Sequence, residues 1–459
     1  MVSAAYGTIV RVERSERDSR ASELVKELTV RDVRAIALTW VDNAGITRVK
    51  AVPIGRFAHA AVWGIGMSAV FDVFLLDDST TSSRHAGGPT GDLRLYPDLD
   101  RVSVLAGQRG WAWAPVDRLT QEGEAYPGCQ RTFARTTVER ARAAGLDLKM
   151  AFEVEWFAGT PEAVPACTGP AYGMTRIIEL SSYADSLLAA LDEQGVPVDQ
   201  FHPEYAPGQL ELSVAADDPV AAADRLVLVR QTIRAVSRDH GHEVSFAPVV
   251  VAGQVGNGQH LHLSAWSQGR NLFSGGDGPY GLTGPGEALL AGLLDRLPAL
   301  TAIGAPSVAS YLRLVPQHWA APYQCWGREN RECALRLVTG SVGERDTAAN
   351  AELKCCDGSA NPYLLAGAVT AIATAALGTE RRLPAEVPVD PATLPEAQQP
   401  PRLPQSVEEA VEALLADDVL PRALGEPLLD AFCAVRRAEA DLFRGIDPAK
   451  IAETSRWKY

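Results

Sequence analysis

The sequence predicts an α+β protein, and three observations point to that class. Strand-like and helix-like segments follow one another without a strict βαβ rhythm, which argues against a doubly wound parallel sheet. The turn cluster Asp42-Asn43-Ala44-Gly45 separates two β-rich runs, the pattern of a hairpin and hence of antiparallel pairing. Apolar residues make up 46% and charged residues 22% of the 459 positions, the balance of a globular chain long enough for two or three domains.

Taken in order, residues 1–24 are charged and lack apolar periodicity, so a flexible arm is expected there. Residues 25–117 read as a small β-rich domain, with strands expected at 35–41 and 47–52 and further short ones near 92–96 and 102–105. Residues 118–459 read as a larger domain. Its expected helices are 132–144, 182–194 and 219–239, and its expected strands are 148–157, 210–214, 243–251 and 260–266. An Ala-rich run at 364–378 falls short of the roughly 20 residues that span a bilayer and reads as a buried helix. A Pro-rich linker at 383–404 leads to two amphipathic helices at 406–415 and 428–443.

Composition narrows the function. Forty-three Lys and Arg against 57 Asp and Glu leave a net charge of −14, which disfavours nucleic acid and anionic membrane as partners. No Lys follows a Gly-rich loop in P-loop spacing, so a bound nucleotide must be held by Arg and metal. Seven Cys without a CxxC read as reduced thiols, and a cytoplasmic location is expected.

Five segments carry chemistry. Glu153-Val154-Glu155 puts two carboxylates on one face of a strand, where they repel unless a cation lies between them. In His202-Pro203-Glu204-Tyr205-Ala206-Pro207-Gly208-Gln209-Leu210-Glu211, the Pro-Gly pair marks a turn, so Glu204 ends one segment and Glu211 enters the next strand among apolar neighbours, where a lone charge is costly. A salt bridge or a metal would relieve it equally well. Gly256-Asn257-Gly258-Gln259-His260-Leu261-His262-Leu263-Ser264 sets His260, His262 and Ser264 on one strand face behind a Gly-rich turn. From Arg313 to Arg336, arginines embedded among apolar residues suit bidentate grips on carboxylate or phosphate. Glu352-Leu353-Lys354 follows, and then Asn361-Pro362-Tyr363.

In this order the segments resemble the glutamine synthetase superfamily, type I branch, and its glutamate–amine ligase relatives, over roughly residues 30–445. The resemblance implies a β-grasp-like N-terminal domain and a catalytic α/β domain with a curved antiparallel sheet. It also implies two divalent cations in a funnel, one held by Glu155, Glu204 and Glu211, the other by Glu153, His260 and Glu352. Five carboxylates and one imidazole suit Mg²⁺ or Mn²⁺ independently of any resemblance. By the same likeness Arg313 grips L-glutamate, Gly256 lines its amino group, and His262 and Ser264 face ATP. Arg331 and Arg336 then stabilise the transferring phosphoryl group. Asp42 reaches into a neighbouring subunit's site, and the assembly is a homo-oligomer, a dodecamer of two hexameric rings.

The chain departs from glutamine synthetase at Trp319, which stands where the family's flap loop carries an ammonium-binding glutamate. Lys354 and Asn350 replace family arginines, and the tyrosine of the adenylylation loop is absent. These departures resemble the glutamate–amine ligases that make γ-glutamylethanolamide or γ-glutamylpolyamines. The expected activity is therefore ATP-dependent ligation of glutamate to a small organic amine, with ethanolamine favoured. The amine would pack on Trp319 while its nitrogen meets Glu204, Tyr172 or a neighbour's Asp42. An ammonia-using glutamine synthetase, a γ-glutamylpolyamine synthetase and a non-catalytic ring-forming member stay open at this point.

Overall fold

The computed structural model describes residues 14–459. Residues 1–13 of the expected arm lie outside that range. Within it, Arg14–Val30 is a helix rather than an arm. Only Ala21, Leu24 and Leu28 are buried, at helical spacing, so one thin apolar seam fastens an otherwise charged helix.

That helix covers a six-stranded sheet built from β1 (Ala35–Val41), β2 (Thr47–Pro53), β3 (Ile65–Ser68), β4 (Asp92–Pro97), β5 (Ser103–Val104) and β6 (Trp111–Leu119). The order is β2-β1-β6-β4-β3, with β5 also on β6. β1 and β2 form the expected antiparallel hairpin, while β1 runs parallel to β6. Asp42 closes the hairpin turn by accepting the Ala44 and Ile46 amides, each at 2.9 Å. Gly45 has φ of 81°, and a Cβ there would come within 2.0 Å of the Ser359 carbonyl oxygen. Glycine is thus required twice over, for the turn and for its close approach to the Ser359 backbone.

After β6 the chain runs into helix Gln130–Ala143 and then β7 (Asp147–Phe152) and β8 (Val154–Gly159). The single strand expected over 148–157 is two strands, broken at Glu153. β9 (Val198–Pro203), β10 (Gln209–Val214) and β11 (Glu243–Ser245) join β8 in an antiparallel sheet of order β11-β8-β10-β9. β12 (Leu261–Ser267), β13 (Arg270–Asn271), β14 (Trp326–Arg328), β15 (Leu335–Val338) and β16 (Asn350–Leu353) form the other sheet, order β13-β12-β16-β15-β14, with β7 on β12. The chain therefore crosses from one sheet to the other at Glu153, whose amide still bonds the His260 carbonyl at 3.0 Å. The strand expected over 243–251 stops at Ser245, and the rest is irregular and buried.

Helices pack behind this pair of sheets. Pro219–Asp239 has the expected bounds, with Pro at its start and Asp218 accepting the Val220 and Ala221 amides. Pro362–Ala376 is buried and packs on Gln130–Ala143 so closely that a Cβ at Gly367 would lie 2.5 Å from the Phe133 ring. Asn361 caps that helix, and its side-chain amide also donates to the carbonyls of Val41 and Asp42 at 3.0 and 3.1 Å. The Asn-Pro-Tyr motif is thus a structural joint: Tyr363 Oη donates to Asp224 at 2.8 Å. The stretch expected as a linker, 383–404, is a strap instead. Trp326 Nε1 donates to the Pro384 carbonyl at 2.9 Å, and Asn330 donates to the carbonyls of Val387 and Val389, both at 2.8 Å. All seven cysteines are buried and unbridged.

Candidate functional site

The site lies in the cleft between the two sheets, where β8 and β10 face β12 and β16. It has two lobes sharing Glu153 and Gln200, with volumes of about 420 and 380 Å³. Glu155, Glu204, Glu211, Tyr172, Trp319 and Arg313 line the first; His262, Ser264 and Asn350 line the second.

One half of the cleft is compensated internally. His260 Nδ1 lies 3.0 Å from Glu153 and 3.1 Å from Glu352. Lys354 Nζ donates to Glu352 Oε1 at 2.9 Å, and Arg336 Nη1 donates to its Oε2, also at 2.9 Å. Burial pushes the Glu352 carboxyl up, but Lys354, His260 and His262 outweigh it and hold the group well below the usual carboxylate range. Glu153 is held down in the same way by His260 and His262 against its own burial. His262, although burial disfavours its charge, is pushed up to about 9 by Glu153 and Glu352.

The other half is in deficit. Glu211 has His202 at 3.1 Å as its one cationic-type partner among the described residues, shares a hydrogen bond with Glu153, and is pushed up to about 11 by burial and then by Glu153 and Glu155. Glu204 is raised by burial and by Glu155, although Tyr172 Oη donates to it at 2.8 Å. Glu155 has one oxygen held by Gln209 Nε2 at 2.8 Å and by the Gly258 amide at 2.9 Å. Gly258 has room for no side chain, since a Cβ would lie 2.4 Å from His260 and 2.8 Å from Glu155.

The ligand atoms fall into two triads, each within 4.8 Å: Glu153, His262 and Glu352, and His202, Glu204 and Glu211. Glu153, Glu155, Glu204, Glu211 and His260 line the first lobe, and Glu352 is buried behind it, beside His260. The grouping differs from the expected one, with His262 and His202 added and Glu155 standing beside the second triad. Hard oxygen donors and uncompensated charge make the second triad fit a divalent cation. His202 lies in the quoted motif, and its signal was its position two residues from Gln200 on β9, which puts both on one face. Gln209, which positions Glu155, carried no such signal.

The remaining expected residues divide. Arg313 is buried, with Nη2 3.1 Å from His260 Nε2 and Nη1 without a hydrogen-bond partner among the described residues, a donor suited to an anionic ligand. Gly256 is fixed by space, because a Cβ would lie 1.9 Å from the Pro248 carbonyl oxygen. Ser264 accepts from Trp266 Nε1 at 2.8 Å, and His262 Nδ1 lies 2.9 Å from Asn350. Arg331 is exposed at the rim of the first lobe. Trp319 is 40% exposed and tilts on Tyr205, centroids 4.8 Å apart. The Asp42 carboxylate has no exposed surface in the single chain, closes the hairpin turn and pairs with Arg48 at 2.7 Å.

Residues 127–452 match the family described as glutamine synthetase, catalytic domain. The chain is 54% identical over 450 residues to the γ-glutamylpolyamine synthetase GlnA3 of Streptomyces coelicolor, covering 96% of this chain and 97% of that one. It is 28% identical to a glutamine synthetase of Methanocaldococcus jannaschii over 93% of its length and 95% of the relative's. A crystal structure described as a novel glutamine synthase homolog superposes with a TM-score of 0.84 at 31% identity, covering 93% of this chain and 99% of that one. The ADP complex of GmaS superposes at 0.82 and 28% identity, covering 92% and 97%. The chain belongs to the glutamine synthetase family. It is an enzyme, a glutamate–amine ligase in the sense that includes ammonia among the amines, and enzymes of this family use ATP and divalent metal ions. Among the described residues no helix is long and apolar enough to cross a membrane.

Proposed function

We propose that this ligase joins the γ-carboxylate of glutamate to a polyamine. The observation that carries the reading is an aromatic wall, Trp319 on the lining of a carboxylate-rich lobe with Tyr205 packed behind it. Such a wall accepts methylenes at about 0.8 kcal/mol each and attracts an ammonium through its ring faces. A polyamine offers both along its length, ethanolamine only a two-carbon piece. The end-to-end likeness to a protein named for polyamine ligation supports the same choice, so the ethanolamine favoured by the sequence gives way.

The residues divide the labour. Arg313 takes the α-carboxylate of glutamate beside Gly256, and His262 and Ser264 face ATP in the second lobe. The γ-carboxylate attacks the γ-phosphorus, ADP leaves, and Arg331 and Arg336 balance the charge on the phosphoryl oxygens. The amine nitrogen then attacks the acyl carbon, phosphate leaves, and Glu204, beside Tyr172, accepts the amine proton. Mg²⁺ or Mn²⁺, held by Glu204 and Glu211 with His202 and Glu155, and by Glu153 and Glu352 with His260 and His262, would neutralise phosphate oxygens. The same reading includes a ring assembly of two stacked hexamers, which light scattering tests.

Phosphate release with glutamate, ATP and a panel of ammonium, ethanolamine, putrescine, spermidine and spermine decides the amine. The highest kcat/KM is expected for a polyamine. Preference for ammonium would restore the glutamine synthetase reading.

A further inference from the structure

The loop after Arg313 has an unusual backbone. Gln317, Trp319 and Ala321 have φ of 62°, 53° and 53°, in the left-handed region that side chains with a Cβ rarely adopt. Three such residues at alternate positions need surroundings that impose the conformation. One carboxylate lies at the centre of those surroundings. Glu332 is buried and accepts the Trp319 amide on Oε1 at 3.0 Å. A backbone hydrogen bond from Gln317 reaches the same carboxyl.

Glu332 is itself mounted rigidly. Its amide donates to Asn330 Oδ1 at 3.0 Å, and Asn330 is tied to the 383–404 strap through Val387 and Val389. The other oxygen of Glu332 is buried without a hydrogen-bond partner among the described residues, and burial pushes the carboxyl above its ordinary range. A carboxylate is therefore kept here against a desolvation cost. What it holds leads into the site: the Trp319 ring lies on Tyr205, whose amide donates to Glu204 at 2.9 Å.

We propose that Glu332 is a specificity-determining positioning residue: it holds residues 317–321 in their left-handed form and so fixes the Trp319–Tyr205 wall against which the amine packs. The proposal rests on the amine-ligase reading above. Glu332 acts through Trp319 and touches no reacting atom. Without it, Gln317 and Trp319 relax to ordinary φ, the ring leaves Tyr205, and the amine loses its wall while Arg313, His262 and the carboxylates stay in place.

The test is a double-mutant cycle on the full-length enzyme with steady-state kinetics for each substrate. Glu332→Ala should raise KM for the amine about tenfold, as loss of one aromatic contact does, and leave KM for glutamate and ATP within about twofold. Glu332→Gln keeps an acceptor oxygen and should stay near wild type. Trp319→Ala should match Glu332→Ala, and the double variant should be no worse than Trp319→Ala. If the alanine variant does not fold, Glu332→Met, which fills the volume without an acceptor, takes its place against Glu332→Gln. Additive effects would put the free oxygen of Glu332 on the amine itself and overturn the proposal. An equal rise in all three KM values would make Glu332 merely structural and overturn it too. The cycle is run with whichever amine the wild type uses fastest, so an ammonium preference refutes the polyamine reading and leaves the coupling readable.

Discussion

The two halves of the cleft are built from the same residue types and behave oppositely. Around Glu352, a carboxylate 1% exposed has Lys354, Arg336, His260 and His262 as neighbours, and it stays ionised despite burial. Around Glu211, a carboxylate almost as buried has one imidazole and three other glutamates nearby, and it is pushed toward protonation. The difference teaches that burial alone does not mark a metal ligand. What marks it is burial with the compensating charge left out.

Supplying or withdrawing charge breaks the comparison most directly. Excess chelator should abolish phosphate release, and Mg²⁺ or Mn²⁺, not Zn²⁺, should restore it, because the deficit half is oxygen-rich. Full turnover in excess EDTA would leave Glu211 without its cation. Next in size, Lys354→Met removes a partner that is 2% exposed and leaves Glu352 short of charge. The metal-free protein should lose about 3–5 kcal/mol of stability, measured by urea unfolding, and recover part of it with Mg²⁺. Glu211→Gln should act with the opposite sign. Replacing a carboxyl that must take up a proton on folding should stabilise the metal-free protein at neutral pH by about 1–2 kcal/mol while activity falls at least about 100-fold and the Mg²⁺-induced rise in Tm shrinks. If both variants destabilise the apo form equally, the two halves do not differ as described. The smallest effect is at the rim. Trp319→Glu should raise ammonium use relative to polyamine use about tenfold in kcat/KM, roughly 1.4 kcal/mol, read from phosphate release at fixed pH.

Much of the cleft is legible in the sequence because strands have a period of two. Glu153 with Glu155 and His260 with His262 announce a shared face, and the Gly-rich turn before them announces space for a ligand. Distant pairings are not legible in that way. Glu332 meets Trp319 at a separation of 13 residues, across β14 and the loops on either side of it, and nothing in the spacing of Asn330-Arg331-Glu332 foretells it. Helices Gly284–Asp295 and Leu297–Gly304 escape a sequence reading because they are buried on nearly every side and so carry no polar stripe to set a period. Helix Arg14–Val30 escapes for the reverse reason, too few apolar positions. Asp42 shows what spacing leaves out: the residue also serves a turn within its own hairpin, where it accepts the Ala44 and Ile46 amides and pairs with Arg48.

The crossing of the chain from β7 to β8 at Glu153 bears on how the gene can vary. Side chains alternate on both strands, so deleting or inserting one residue between Phe152 and Val154 would turn every later side chain of β8 to the opposite face. Glu155 would then point into the apolar core, and Trp156, now fully buried, would point into the cleft. Many substitutions along this stretch can be absorbed by repacking, but no change in its length can. Insertions and deletions among natural variants of this chain are therefore expected to be missing here and to collect in exposed turns such as the one at Gly343.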